Sequence, residues 1–251
     1  MLQDPMFYLV SVPAVMLYGV AKGGFGGAVA ILAVPLMALM MSPAQAAAIL
    51  LPILVVMDVV VVYSYRGQFD ARALHLLLPG ALLGLLSGYL LASFVNDAIM
   101  RLLVGVVALT FGLQTLLGWL SSLGREHNRW AATIIGALSG FTSFSIHAGG
   151  PPFAMYLLPK QLSPLIYAGT AGLFFAVVNL VKLPAYYALG QFTGENLWYS
   201  LALVPIAPLG VLLGRRLVQL SNPIVYYKII SLFLVFVGIK LIFDGYQGFA
   251  V

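Results

Sequence analysis

The chain contains no cysteine. That excludes disulfides, thiolate nucleophiles, iron–sulfur clusters and cysteine-based zinc sites. Charge is nearly as scarce, since only 8% of the 251 residues are Asp, Glu, Lys or Arg. Soluble domains carry about a quarter, so this chain cannot cover a water-facing surface. Twelve Lys and Arg against seven Asp and Glu give a formal net charge of +5. The basic residues are scattered between apolar runs, as orientation signals are, and form no nucleic-acid footprint. No G-x-x-x-x-G-K-[ST] occurs, which removes a P-loop nucleotide site. No HExxH and no paired-aspartate motif is present either, and no metal or cofactor is expected. The opening MLQDPMFYLV lacks a basic stretch, so the first apolar segment is expected to stay rather than be cleaved as a signal peptide.

What remains is apolar: 62% of the residues are hydrophobic and the mean hydropathy is +1.05. The runs are long and continuous, unlike the ten-residue alternation of a membrane barrel. The fold class is therefore an all-α polytopic membrane protein. Spanning the hydrocarbon takes about 20 apolar residues. Residues 44–65, 73–95, 98–120, 164–189, 197–220 and 223–243 meet that length. Two other apolar regions are interrupted: 6–41 by KGGFGG at Lys22–Gly27, and 130–159 by the stretch SFSIHAGGPPFAMYLLP that begins at Ser143. Each reads as a pair of half-helices meeting at a glycine-rich break.

The two halves resemble each other. GQF recurs at 67–69 and 190–192, an offset of 123 that also relates Gly26-Gly27 to Gly149-Gly150. Pro79, Gly84, Gly88, Asn96 and Gly112 match Pro205, Gly210, Gly214, Asn222 and Gly238 at an offset of 126. The expected plan is two repeats, 1–124 and 125–251, within one membrane domain, each a broken, re-entrant-like hairpin followed by three helices. Suppose each hairpin returns to its starting side. The loops with Arg66, Arg72, Arg125, Arg129, Lys160, Arg215, Arg216 and Lys228 then share one face. The other face receives Asp4, Asp97, Glu195 and Asp244, with Arg101 its one basic residue near the interface. The positive-inside rule favours this arrangement. It makes the repeats inverted, puts both termini outside the cytoplasm, and suits a bacterial inner membrane.

Broken helices survive at membrane depth only when buried in protein or lining a cavity. In inverted-repeat carriers such breaks aim half-helix N-termini at a substrate near the midplane, and those ends attract anions. Pro151 and Pro152 suit a helix start, and Gly149 and Gly150 let a ligand approach the backbone. The expected substrate-binding residues are Lys22, Gly23, Gly24, Gly26 and Gly27 in the first break, and Ser143, Ser145, His147, Gly149 and Gly150 in the second. At the 123 offset Lys22 faces Ser145, and His147 faces Gly24. Lys22 has two other uses, snorkelling to an interface or pairing with Asp58. His147 has one, as a structural histidine bonded to backbone. The hydroxyls of Thr142, Ser143 and Ser145 are able to bond their own helix carbonyls instead. Asp58 and Lys182 lie one residue from equivalence, either as a fixed ion pair between the halves or as part of a gate or proton path. Asn179 is a further candidate for the cavity.

AKGGFGG at Ala21–Gly27, its echo SIHAGGPP at Ser145–Pro152, the two-copy plan and the length together resemble the TauE/SafE sulfite exporter family, also called the toluene sulfonate uptake permease family (TSUP). The likeness extends over nearly the whole chain. It departs from a plain glycine run at Phe25 and at His147. The resemblance implies transport of a sulfur-containing anion, such as sulfite or an organosulfonate like sulfoacetate. The leading expectation is thus a secondary transporter working by alternating access, with a small anion and membrane lipid as partners and protons as a candidate coupling ion. The membrane potential alone, about 2.3 kcal/mol per charge per 100 mV, drives a monoanion out of an inside-negative compartment. A passive anion channel and an intramembrane hydrolase built on Ser143 or Ser145 with His147 are the alternatives. The hydrolase lacks a third catalytic member. Oligomeric state, direction of transport and the particular anion are open at this level.

Overall fold

The computed structural model describes residues 4–26, 30, 33–37, 40–92, 97–117 and 129–248. Its order is α1 Pro5–Gly24, α2 Ala33–Met37, α3 Pro43–Ser64, α4 Ala71–Leu90, α5 Asp97–Leu117, α6 Arg129–Ile146, α7 Gly150–Leu157, α8 Pro164–Ala188, α9 Gly194–Leu203, α10 Ile206–Leu220 and α11 Pro223–Gln247. No strand occurs among the described residues. Helix starts follow local chemistry. Asp4, Ser42, Ser163 and Asn222 each precede a proline, and each side chain accepts a backbone N–H of the first turn. That supplies one orphan donor with a partner while proline fills a position needing none.

Among the described residues five helices are long and apolar enough to cross a membrane, or six if α9 and α10 form one bent span. The outer surface carries exposed Leu9, Leu83, Trp130, Leu220 and Ile224, whereas Lys22, Asp58, Ser143, His147, Asn179 and Lys182 are buried. A soluble protein has the opposite arrangement, so this is a multi-pass membrane protein.

Three expectations change. The first limb of each broken element is not a half-helix: α1 has 20 residues and α6 has 18, about 30 and 27 Å at 1.5 Å per residue. Only the second limbs are short, at 5 residues in α2 and 8 in α7. The first break also starts later, because α1 runs through Lys22, Gly23 and Gly24 and is capped at Phe25. Finally, the expected span 197–220 bends by 46° between α9 and α10. The ends of the spans 73–95 and 98–120, with Gly27, lie outside the described residues.

Around the breaks the structural parallels between the two parts of the chain follow a spacing other than 123. Ser42-Pro43 and Ser163-Pro164, which open α3 and α8, are 121 residues apart. The positive-φ residues Gly26 (62°) and His147 (53°) share that offset. So do two matching hydrogen bonds, from the Tyr65 hydroxyl to the Gly23 carbonyl and from the Tyr186 hydroxyl to the Phe144 carbonyl. At this spacing Gly26 aligns with His147 rather than with Gly149, Lys22 with Ser143, Gly24 with Ser145 and Asp58 with Asn179. The 123 spacing of GQF arises because α8 continues for longer than α3 before its turn. Across the chain α1 packs chiefly on α10, α6 on α4, α5 on α11 and α3 on α8.

Candidate functional site

At the centre, α1, α3, α6 and α8 bring together four of the ionisable side chains singled out in the sequence. The Lys22 ammonium on α1 lies 2.7 Å from Asp58 Oδ1 on α3, with both side chains only 4% exposed. Asn179 on α8 donates from Nδ2 to Asp58 Oδ2 at 2.8 Å. The Asp58 carboxylate is thus held on two sides, and Lys22 takes the pairing role that was its alternative in the sequence.

Lys182 does not pair with Asp58. One turn beyond Asn179, its Nζ donates to the Ser143 carbonyl at 3.0 Å, to Ser143 Oγ at 3.2 Å and to His147 Nδ1 at 2.8 Å. An ammonium has three donors, and these contacts use all three. With Nδ1 accepting, His147 carries its proton on Nε2, which reaches the Ala47 carbonyl on α3 at 3.0 Å. That contact fixes the tautomer and ties the second break to the first repeat. The ion pair of this centre is therefore Lys22 with Asp58, both in the first half of the chain, and the hydrogen bond from Asn179 links that pair to the second half. Lys182 belongs to the second break.

His147 adopts φ 53° just after α6 ends. The left-handed region is uncommon for a residue with a Cβ. Here two contacts to the imidazole ring, from Lys182 and to Ala47, hold it. The turn is also tied by the Ala148 N–H donating to the Thr142 carbonyl and by the Ser139 hydroxyl donating to the Gly149 carbonyl at 2.8 Å. α7 then starts at Gly150. The amides of Gly149 and Gly150 donate to no partner among the described residues, and Pro151 and Pro152 have none to offer. A Cβ on Gly149 would lie 2.8 Å from the Ser139 carbonyl oxygen and 2.9 Å from Ser143 Cβ, so the chain closes tightly there against the Lys182 cluster.

The other expected residues divide. A Cβ on Gly23 would stand 2.1 Å from the Val211 carbonyl oxygen, and one on Gly24 would stand 2.4 Å from that of Gly214. These glycines serve the close crossing of α1 with α10, as small residues do between membrane helices. Gly26 keeps the left-handed turn that follows α1, with Tyr167 packed where a side chain would go. The hydroxyls of Thr142 and Ser145 donate to the carbonyls of Leu138 and Phe141 in their own helix, whereas the Ser143 hydroxyl accepts from Lys182. Gly27 is outside the described residues.

A cavity of about 130 Å³ is lined by Ala44, Ala47, Phe144, Ser145, Tyr186 and Gln191 among others. A wider one of about 370 Å³ adjoins it through Ala44 and Gln191 and is lined by Ser42, Gln45, Glu195 and Asn196. Together they lead from the turn after α8 to Ala47, Phe144 and Tyr186, the residues that touch or flank His147 and Ser143. Tyr186, its ring 6.1 Å from that of His147, was missed in the sequence. The signal was present, since Tyr65 stands 121 residues before it. Among the described residues no group of His, Asp and Glu is arranged to hold a metal ion.

A family profile described as "Sulfite exporter TauE/SafE" matches residues 11–241. Comparison with curated proteins and with solved structures returned no match.

Proposed function

The chain belongs to the TauE/SafE sulfite exporter family, and from that premise we propose that it is a secondary transporter of a small sulfur-containing anion, sulfite or an organosulfonate such as sulfoacetate. One observation carries this reading: ammonium, carboxylate, imidazole and hydroxyl groups are gathered at the centre of a protein whose outer face is apolar. Ionisable groups at membrane depth are costly and mark substrate or ion pathways. In this reading the substrate is held near the midplane between the two breaks and is exposed to each side in turn. Gly149 and Gly150 face it from the second break, where Ser143 and His147 order the site, with Gly26 shaping the first. Asp58, Lys22 and Asn179 form the coupling or gating group, with protons as the coupling ion.

The two repeats, 1–124 and 125–251, sit antiparallel in this reading, with the Arg66 and Arg215 ends facing the cytoplasm across a bacterial inner membrane. The family is one of transporters, so translocation rather than turnover is the expected activity.

Reconstitution into lipid vesicles tests the proposal. Sulfite flux should saturate, be slowed by competing sulfur anions, and show counterflow when unlabelled sulfite is loaded inside. Non-saturating flux without counterflow would identify a channel. No flux of sulfite, sulfoacetate or thiosulfate would remove the substrate class. A pH gradient should accelerate uptake if protons are coupled, and an unchanged rate would assign the driving force elsewhere.

A further inference from the structure

Two lysines are buried at the centre, and their partners differ. Lys22 stands against a carboxylate, so its charge is already matched. Lys182 is 0% exposed, and its three contacts are a carbonyl, a hydroxyl and an imidazole nitrogen, all neutral acceptors. Among the described residues no carboxylate lies at ion-pair distance from it. The Lys22–Asp58 pair sums to zero, so the cluster keeps one unmatched positive charge. A buried charge is costly unless it is paired, so an anion that enters beside Lys182 relieves that cost. A second and independent feature sits beside it: the unpartnered amides of Gly149 and Gly150, whose turn packs on Ser143. The cavity from the Glu195 side ends on Ala47, Phe144 and Tyr186, which abut the same cluster.

Resting on the transport reading above, we infer that Lys182, and not Lys22, is the cation that meets the transported anion, exchanging one of its three neutral acceptors for an anion oxygen, with the amides of Gly149 and Gly150 completing the contacts. Ser143 and His147 are positioning residues that hold the ammonium behind the wall that Ala47, Phe144 and Tyr186 give the cavity. Such a site, with one net positive charge and directional N–H donors, suits the oxygens of a singly charged oxyanion or of a sulfonate headgroup.

The test is calorimetric titration of the purified full-length chain with sodium sulfite, and separately with sulfoacetate. Losing a charge-assisted contact should weaken binding about 10- to 100-fold, so Lys182→Gln is expected to show that loss. Lys182→Arg, which keeps the charge, should retain most of the affinity. Lys22→Met combined with Asp58→Asn, which removes a matched pair, should weaken binding less than Lys182→Gln does. If Lys182→Gln does not fold, Ser143→Asp takes its place: a carboxylate against Nζ would consume the cation and abolish binding. Parent-like affinity in Lys182→Gln or Ser143→Asp overturns the assignment while leaving the transport reading intact. A parent chain that binds neither anion overturns both.

Discussion

Replacing Asp58 with asparagine leaves the Lys22 ammonium buried with no counter-charge. Both side chains are 4% exposed and their charged atoms are 2.7 Å apart. Removing one partner of such a pair typically costs about 3–5 kcal/mol, because the surviving charge stays desolvated and uncompensated. The Asn179 contact to Asp58 at 2.8 Å survives in amide form and does nothing for the ammonium. For a chain of this size about 2–4 °C is lost per kcal/mol, so Asp58→Asn should melt about 6–20 °C below the parent in detergent. Lys22→Met alone should cost a similar amount by orphaning the carboxylate. The double variant, Lys22→Met with Asp58→Asn, carries no stranded charge and should recover most of the loss. Thermal unfolding of the four proteins gives the coupling directly. The reasoning is refuted if the two single losses add up to the loss of the double variant, since the pair would then be uncoupled in the folded protein.

The remaining predictions concern packing, hydrogen bonding and topology. Gly23→Ala places a methyl where the Val211 carbonyl oxygen is 2.1 Å away. The α1–α10 crossing must widen, at about 1–3 kcal/mol, and an unchanged melting temperature would show the crossing is looser than described. Tyr186→Phe removes the 2.9 Å bond to the Phe144 carbonyl, worth about 1 kcal/mol. It should lower the melting temperature by about 2–4 °C, and an unchanged value would show that the bond contributes nothing to stability. Because the chain has no cysteine of its own, Arg66→Cys and Glu195→Cys can be labelled singly with an impermeant thiol reagent. They should react from opposite sides of the membrane, and labelling from one side would refute the antiparallel arrangement of the repeats.

Much of the architecture was legible because membrane burial leaves a coarse signature. Apolar length alone located α3, α4, α8 and α11, and the Ser-Pro and Asn-Pro pairs mark where helices begin. Proline shows where that reading fails. Pro13, Pro52, Pro79 and Pro184 all sit inside continuous helices, yet the chain bends at Pro205. Pro205 matches Pro79 by repeat, so neighbours rather than the residue itself decide whether the helix is interrupted. The site was half legible. The cost of burying charge singled out Lys22, Asp58, His147 and Lys182, but spacing gives only the face of a helix, and Asp58 had two lysines within conceivable reach. The glycines misled for a physical reason. A glycine that admits a neighbouring helix and one that admits a ligand look alike in a sequence, and at Gly23 and Gly24 the structure shows the neighbouring helix.

The preference of α1 for α10 and of α6 for α4 has a mechanical consequence. Each long limb is clasped by a helix from the opposite half, so the two sequence halves are interlocked like hooked fingers and cannot swing as separate blocks. Any moving body must combine strands of both, α1 travelling with α10 and α6 with α4. Expressed as separate polypeptides, neither half would hold its own shape, and assembly would require both to be present together.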